Sequence, residues 1–72
     1  MKITHYPNAI LHGGPSSLGA HERIRHTEDL TDKIKVLAGN RYEHFEPTPE
    51  VDRSLGQDLV VYVWKECTYV AE

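Results

Sequence analysis

The stretch Lys33-Ile34-Lys35-Val36-Leu37-Ala38-Gly39-Asn40-Arg41-Tyr42-Glu43-His44-Phe45-Glu46 decides the fold. Two β-prone runs flank a Gly-Asn pair, and both turn residues tolerate positive φ at little steric cost, so the segment reads as a hairpin with a two-residue turn. Centring the turn on Gly39-Asn40 sets Ala38 opposite Arg41, Leu37 opposite Tyr42 and Lys35 opposite His44. It also sets Ile34 opposite Phe45 and Lys33 opposite Glu46. Leu37–Tyr42 and Ile34–Phe45 are favourable cross-strand pairs, each contributing roughly 0.2–1 kcal/mol. One pair is a misfit. Val36 meets Glu43, which puts a carboxylate on the face of Ile34 and Phe45. Either the register differs or Glu43 is held there for a reason.

Downstream of the hairpin, Pro47-Thr48-Pro49 is expected to stop the strand, because each proline removes a ladder donor. Residues 50–58 read as a polar, glycine-containing linker. Leu59-Val60-Val61-Tyr62-Val63-Trp64 is apolar on both faces, which suits the middle of a sheet or a partner's surface. Lys65-Glu66 is expected to turn the chain into a last β-prone run, Cys67-Thr68-Tyr69-Val70-Ala71. Upstream, Asn8-Ala9-Ile10-Leu11-His12 reads as a short strand that Gly13-Gly14-Pro15-Ser16-Ser17 ends in a loop. Residues 22–27 read as an edge strand rather than a helix, since Leu18, Ile24 and Leu30 make no helical stripe. Thr27 is placed to cap one helical turn through residues 28–32. The expected fold is mainly β: one domain over residues 1–72, a small antiparallel sheet or curled half-barrel of four to six strands. At most one short helical turn accompanies it, and a second copy is a candidate to complete the sheet.

Size and composition narrow the classes of function. A chain of 72 residues buries only roughly 60% of the surface of its unfolded form, so small domains of this kind often rely on disulfides, a metal or oligomerisation. Cys67 is the single cysteine, which excludes an internal disulfide and points to a reducing cytoplasm. Met1-Lys2-Ile3-Thr4-His5-Tyr6-Pro7 has no apolar core of a secretion signal, and no run reaches the ~18 apolar residues of a membrane span. Eleven acidic and eight basic side chains give a net charge of −3. Arg23, Arg25, Lys33 and Lys35 alternate with Glu22, Glu28, Asp29 and Asp32, so the clustered cations of a nucleic-acid binder are missing.

Three ordered groups of residues carry a resemblance. They are Ile10-Leu11-His12-Gly13-Gly14-Pro15, then Lys33-Ile34-Lys35-Val36 with Tyr42-Glu43-His44-Phe45-Glu46, and finally Val63-Trp64 with Thr68-Tyr69-Val70-Ala71-Glu72. On these the chain resembles an uncharacterised family of small actinobacterial proteins of unknown function, over nearly its whole length. The resemblance implies an accessory role, since such proteins are often encoded beside enzymes of specialised-metabolite assembly. It brings no catalytic residues with it. Lys65-Glu66-Cys67 departs from the family's more basic, cysteine-free turn, so no special role attaches to Cys67.

Among candidate sites, Tyr42, Glu43, His44 and Glu46 come first. On an alternating strand Tyr42, His44 and Glu46 share one face and Glu43 points to the other. A histidine beside a carboxylate suits a general base or part of a metal site, while pairing with Lys35 and Lys33 accounts for the same residues structurally. His5, His12, His21, His26 and His44 lack the close pairing of structural zinc sites, so neither a metal nor another cofactor is expected. His12-Gly13-Gly14-Pro15 has the composition of an oxyanion-hole loop, but no nucleophile elbow accompanies it and a plain turn accounts for it. Cys67 lies between Glu66 and Thr68, and a neighbouring carboxylate does not favour a reactive thiolate.

No complete catalytic constellation emerges. The expected function is therefore non-catalytic: an accessory protein acting by protein–protein contact, as a homodimer and on a larger biosynthetic enzyme. Aromatic residues are enriched at interface hot spots, which makes Tyr62, Trp64, Tyr69 and Phe45 the candidate contact residues. The alternative is a small-molecule-binding protein or minimal enzyme with its site at Tyr42, Glu43, His44 and Glu46, where the Val36–Glu43 misfit breaks a local rule.

Overall fold

A computed structural model describes residues 6–70. His5, the leader reading of the first residues and the Ala71-Glu72 end lie outside the described residues. The chain forms β1 (Ala9–His12), a single helical turn α1 (Ala20–Arg23), β2 (Ile24–Arg25), β3 (Ile34–Ala38), β4 (Arg41–Asp52) and β5 (Leu59–Tyr69). The five strands make one sheet in the order β2-β1-β5-β4-β3. The fold is mainly β, as expected. The sheet is mixed, however, because β1 runs parallel to β5 while the other pairs are antiparallel.

The hairpin forms with the register read from sequence, from Ala38↔Arg41 through Val36↔Glu43 to Ile34↔Phe45. Gly39 alone takes a positive φ, of 68°, and Asn40 does not. Positive φ at the first central position only is the pattern of a type II′ turn, which a glycine there makes unstrained. β5 is the central strand, as its two apolar faces require. Tyr62 meets the main core on one side, and Leu59 and Val61 are buried on the other.

Four expectations are corrected. The prolines do not end the strand: β4 continues through Pro47 and Pro49 to Asp52. β3 has ended by then, so this half of β4 pairs with β5 alone, and a missing N–H on its open side costs no ladder bond. The ladder instead slips between Pro47 and Val51. Lys65-Glu66 is no turn either. β5 passes straight through it, and the pairs His44↔Glu66 and Phe45↔Trp64 leave Lys65 as the extra residue of a bulge. The segment 22–27 starts inside α1 and is a strand only at Ile24–Arg25, although it does lie at a sheet edge. The N–H of Gly19 donates to the Glu22 carboxylate (3.0 Å), an N-terminal signal masked by the polar composition around it. Residues 28–32 form no helix; the Asp32 N–H reaches the Asp29 carbonyl in one turn, and Asp29 accepts from Thr31.

Ala9, Leu11, Leu18, Val36, Phe45 and Tyr62 form the core, with Ile34 and Val60 packed against it. Each large side chain in it contributes roughly 1.5–3 kcal/mol through burial. The loop after β1 brings Leu18 to this core. Arg23 holds that loop by donating to four carbonyls: Nε to Leu18 (3.0 Å), Nη1 to Leu11 (3.2 Å) and Gly13 (2.7 Å), and Nη2 to Pro15 (3.0 Å). Asn8 fastens the far end of β2 through a two-way bond with the Thr27 backbone, 2.8 and 2.9 Å. The edge strands β2 and β3 both border one open cleft, so the sheet curls toward closure without completing it.

Candidate functional site

Glu43 and His44 are consecutive on β4 and therefore point to opposite faces of the sheet. Glu43 enters the core side and is 2% exposed. Its Oε1 accepts the Trp64 indole N–H at 2.7 Å, and its Oε2 lies 3.3 Å from Arg41 Nε. The Val36–Glu43 misfit is thus real in register and resolved by chemistry, because the carboxylate has a charge-assisted bond and a cation to meet. Next to it, Cys67 is a half-buried free thiol paired across the ladder with Glu43.

His44 faces the other way. Its Nε2 lies 2.8 Å from Thr68 Oγ1, and its buried Nδ1 has no hydrogen-bond partner among the described residues. A tautomer with the proton on Nε2 leaves only a lone pair unsatisfied at Nδ1, which costs less than a buried, unpaired N–H. Tyr42 shares this face and lies beneath Lys35, whose ammonium sits 5.5 Å from the ring centroid. Glu46 is exposed and borders a shallow cleft of about 380 Å³ with Thr31, Asp32, Lys33 and Pro47. The four candidates thus divide: Tyr42, His44 and Glu46 on one face, Glu43 on the other. Among the described residues, no group of three or more His, Cys, Asp and Glu is placed to hold a metal ion.

The candidate contact aromatics divide as well. Phe45 and Tyr62 are fully buried. The Tyr62 hydroxyl reaches toward the Asp29 carbonyl at 3.4 Å, and burial pushes it above the ordinary tyrosine range, with the charges of Asp29 and Asp32 adding to the rise. Trp64 is 39% exposed and Tyr69 is 69% exposed. Trp64 forms the seat of the Gly-Gly-Pro loop. A Cβ on Gly14 would lie 2.9 Å from Trp64 Cδ1 and 3.2 Å from Phe45 Cζ, at φ +81°, so glycine is required there by both space and backbone.

A second, larger cleft lies elsewhere, between the two ends of the sheet. It has a volume of about 630 Å³ and is lined by His21, Glu22, Ile24, Arg25 and His26 on the β2 side, and by Lys35, Val36 and Leu37 on β3. In strand order β2 and β3 are the outermost strands, each paired on one side only. In the sequence Arg25 and Lys35 are two of several scattered charges, and nothing local brings them together. The only signal was a cation on each of two short strands; that the two strands share a cleft depends on sheet order.

On β1 and β4, His12 Nε2 approaches Asp52 Oδ2 at 3.6 Å. The Asp52 carboxyl is held below its usual range, first by the Ser54 N–H, then by its hydroxyl, and more weakly by His12. Among the described residues no helix is long and apolar enough to cross a membrane.

No curated protein and no solved structure matches the chain. One family does, over residues 3–72, and its description is Family of unknown function (DUF5988). That span takes in the hairpin, the central strand and both walls of the cleft, and by it this chain belongs to that family of unknown function.

Proposed function

We propose that this protein is a non-catalytic accessory protein of the cytoplasm that acts by protein–protein contact, serving a larger enzyme of specialised-metabolite assembly such as antibiotic biosynthesis. The observation that carries it is the open side of the sheet. Among the described residues, two edge strands with unpaired outer backbones face one cleft, and such edges are templates for another chain. The placement of Glu43 and His44 on opposite faces supports the same reading, because that acid and base cannot meet as a catalytic pair, and Glu46, on the His44 face, is exposed at a separate cleft. Exposed Trp64 and Tyr69 offer a second contact, suited to a homodimer.

Native mass spectrometry of protein lightly purified from its host tests this, joined to photo-crosslinking from position 37. Leu37 is exposed beside the cleft, and Leu55, exposed in the turn before β5, is the control position. The expected result is a complex with a larger enzyme, crosslinked from position 37 and not from 55. A monomer without protein partners at any concentration overturns the proposal. So does a stoichiometric small-molecule adduct, which would direct attention to His44 and its unpartnered nitrogen.

A further inference from the structure

We infer that the cleft between β2 and β3 takes an extended, acidic segment of the partner protein, added along β3 as a sixth strand; this rests on the interaction reading above. Among the described residues β3 pairs with β4 alone, so one side of a five-residue strand, about 17 Å of backbone, has its outward N–H and C=O groups unpaired within the sheet. β2 is the facing wall and pairs with β1 alone. The floor is apolar, from Ile24 and Val36, and main-chain bonding along an edge with pockets for alternate side chains is how strand addition achieves affinity and specificity.

Charge selects the occupant. Arg25 and Lys35 flank the cleft, and among the described residues neither makes an ion pair. Lys35 rests over the Tyr42 ring, and Arg25 has one long bond, 3.4 Å, to the Glu22 carbonyl. Among the described residues one carboxylate lines the cleft, Glu22, which accepts the Gly19 N–H and is outnumbered by the two cations. The protein as a whole carries a net charge of −3, so this is a cationic seam on an acidic molecule. A second copy docked edge to edge would bring both sets of cations into one gap, and lysine at an edge is a known guard against such self-pairing. A strand with Asp or Glu at alternate positions meets Lys35 instead, with small or apolar residues between them facing Val36.

The test uses the full chain and a fluorescein-labelled eight-residue peptide of alternating Glu and Val, read by fluorescence anisotropy. A peptide of alternating Lys and Val, the acidic peptide N-methylated on alternate backbone nitrogens, and a single-stranded oligonucleotide are the controls. The acidic peptide is expected to bind, at least about tenfold better than any control, and to weaken as salt rises. Lys35→Glu and, on the opposite wall, Arg25→Glu are each expected to lower its affinity about tenfold while leaving the native mass and the melting transition in place. Equal binding of the N-methylated peptide or the oligonucleotide overturns strand addition, as does indifference to both substitutions. A concentration-dependent dimer lost in Lys35→Glu overturns the acidic occupant in favour of a second copy. If position 37 crosslinks a larger enzyme while the acidic peptide fails to bind, the interaction reading stands and this inference falls.

Discussion

Glu43 shows how one residue can defy the pattern of its strand and still stabilise the fold. A carboxylate among Val36, Ile34 and Phe45 is costly unless it is bonded, and here the Trp64 indole and Arg41 supply the partners. Glu43→Ala strands a Trp64 N–H that is only partly in contact with water, and it is expected to cost about 1–3 kcal/mol. Glu43→Gln keeps an acceptor for the indole and should cost less. Chemical denaturation followed by Trp64 fluorescence separates the two; equal stability of all three proteins would mean that the bond contributes nothing. Tyr62 carries a second residue-scale prediction. Its phenol is raised by burial, so above its ordinary pKa of about 10 the unfolded chain loses a proton that the native state still holds. Stability must then fall as pH rises through that window toward the folded value. Tyr62→Phe should flatten this alkaline decline in denaturation midpoints and change little near neutrality, since the hydroxyl's contact with Asp29 is long.

At the scale of elements, the loop between β1 and α1 is held chiefly by one side chain. Arg23 reaches four carbonyls because a guanidinium presents five donors in a fixed planar fork. An ammonium has the charge without that reach. Arg23→Lys is therefore expected to behave much as Arg23→Ala does, with faster proteolytic nicking in residues 13–18 and a stability loss of about 1–3 kcal/mol. Full rescue by lysine would show that charge alone matters there. The strands teach a related lesson. Proline in β4 and the charged pair in β5 look like breaks, yet each falls where the ladder can spare a bond: the prolines beyond the end of β3, Lys65 in a bulge.

For the whole molecule, the position of each strand sets its stability. β5 is bonded on both sides and buried on both faces along its first half, whereas β2 and the outer side of β3 face the cleft. Hydrogen exchange is expected to be slowest in residues 59–63 and much faster in residues 24–25 and at the outward amides of 34–38, because edge amides open locally. Uniform protection across the five strands would indicate that the edges are already covered, for instance by a second copy. Binding of an acidic strand should then slow the β3 amides selectively.

Sequence alone determined the parts of this fold that depend on neighbours within a few residues. The Gly39-Asn40 turn fixes the pairing of β3 with β4, since a two-residue hairpin leaves no freedom of register. The doubly apolar run before Trp64 identifies the central strand, because such a run must be covered on both faces. Tertiary structure alone decided the rest. The indole that Glu43 meets comes from β5, 21 residues away, and the parallel docking of β1 on β5 has no local signature. The cleft follows from both. Arg25 and Lys35 become a single feature only when β2 and β3 end up at opposite ends of one curled sheet, and strand order is set by how the core packs rather than by any local propensity.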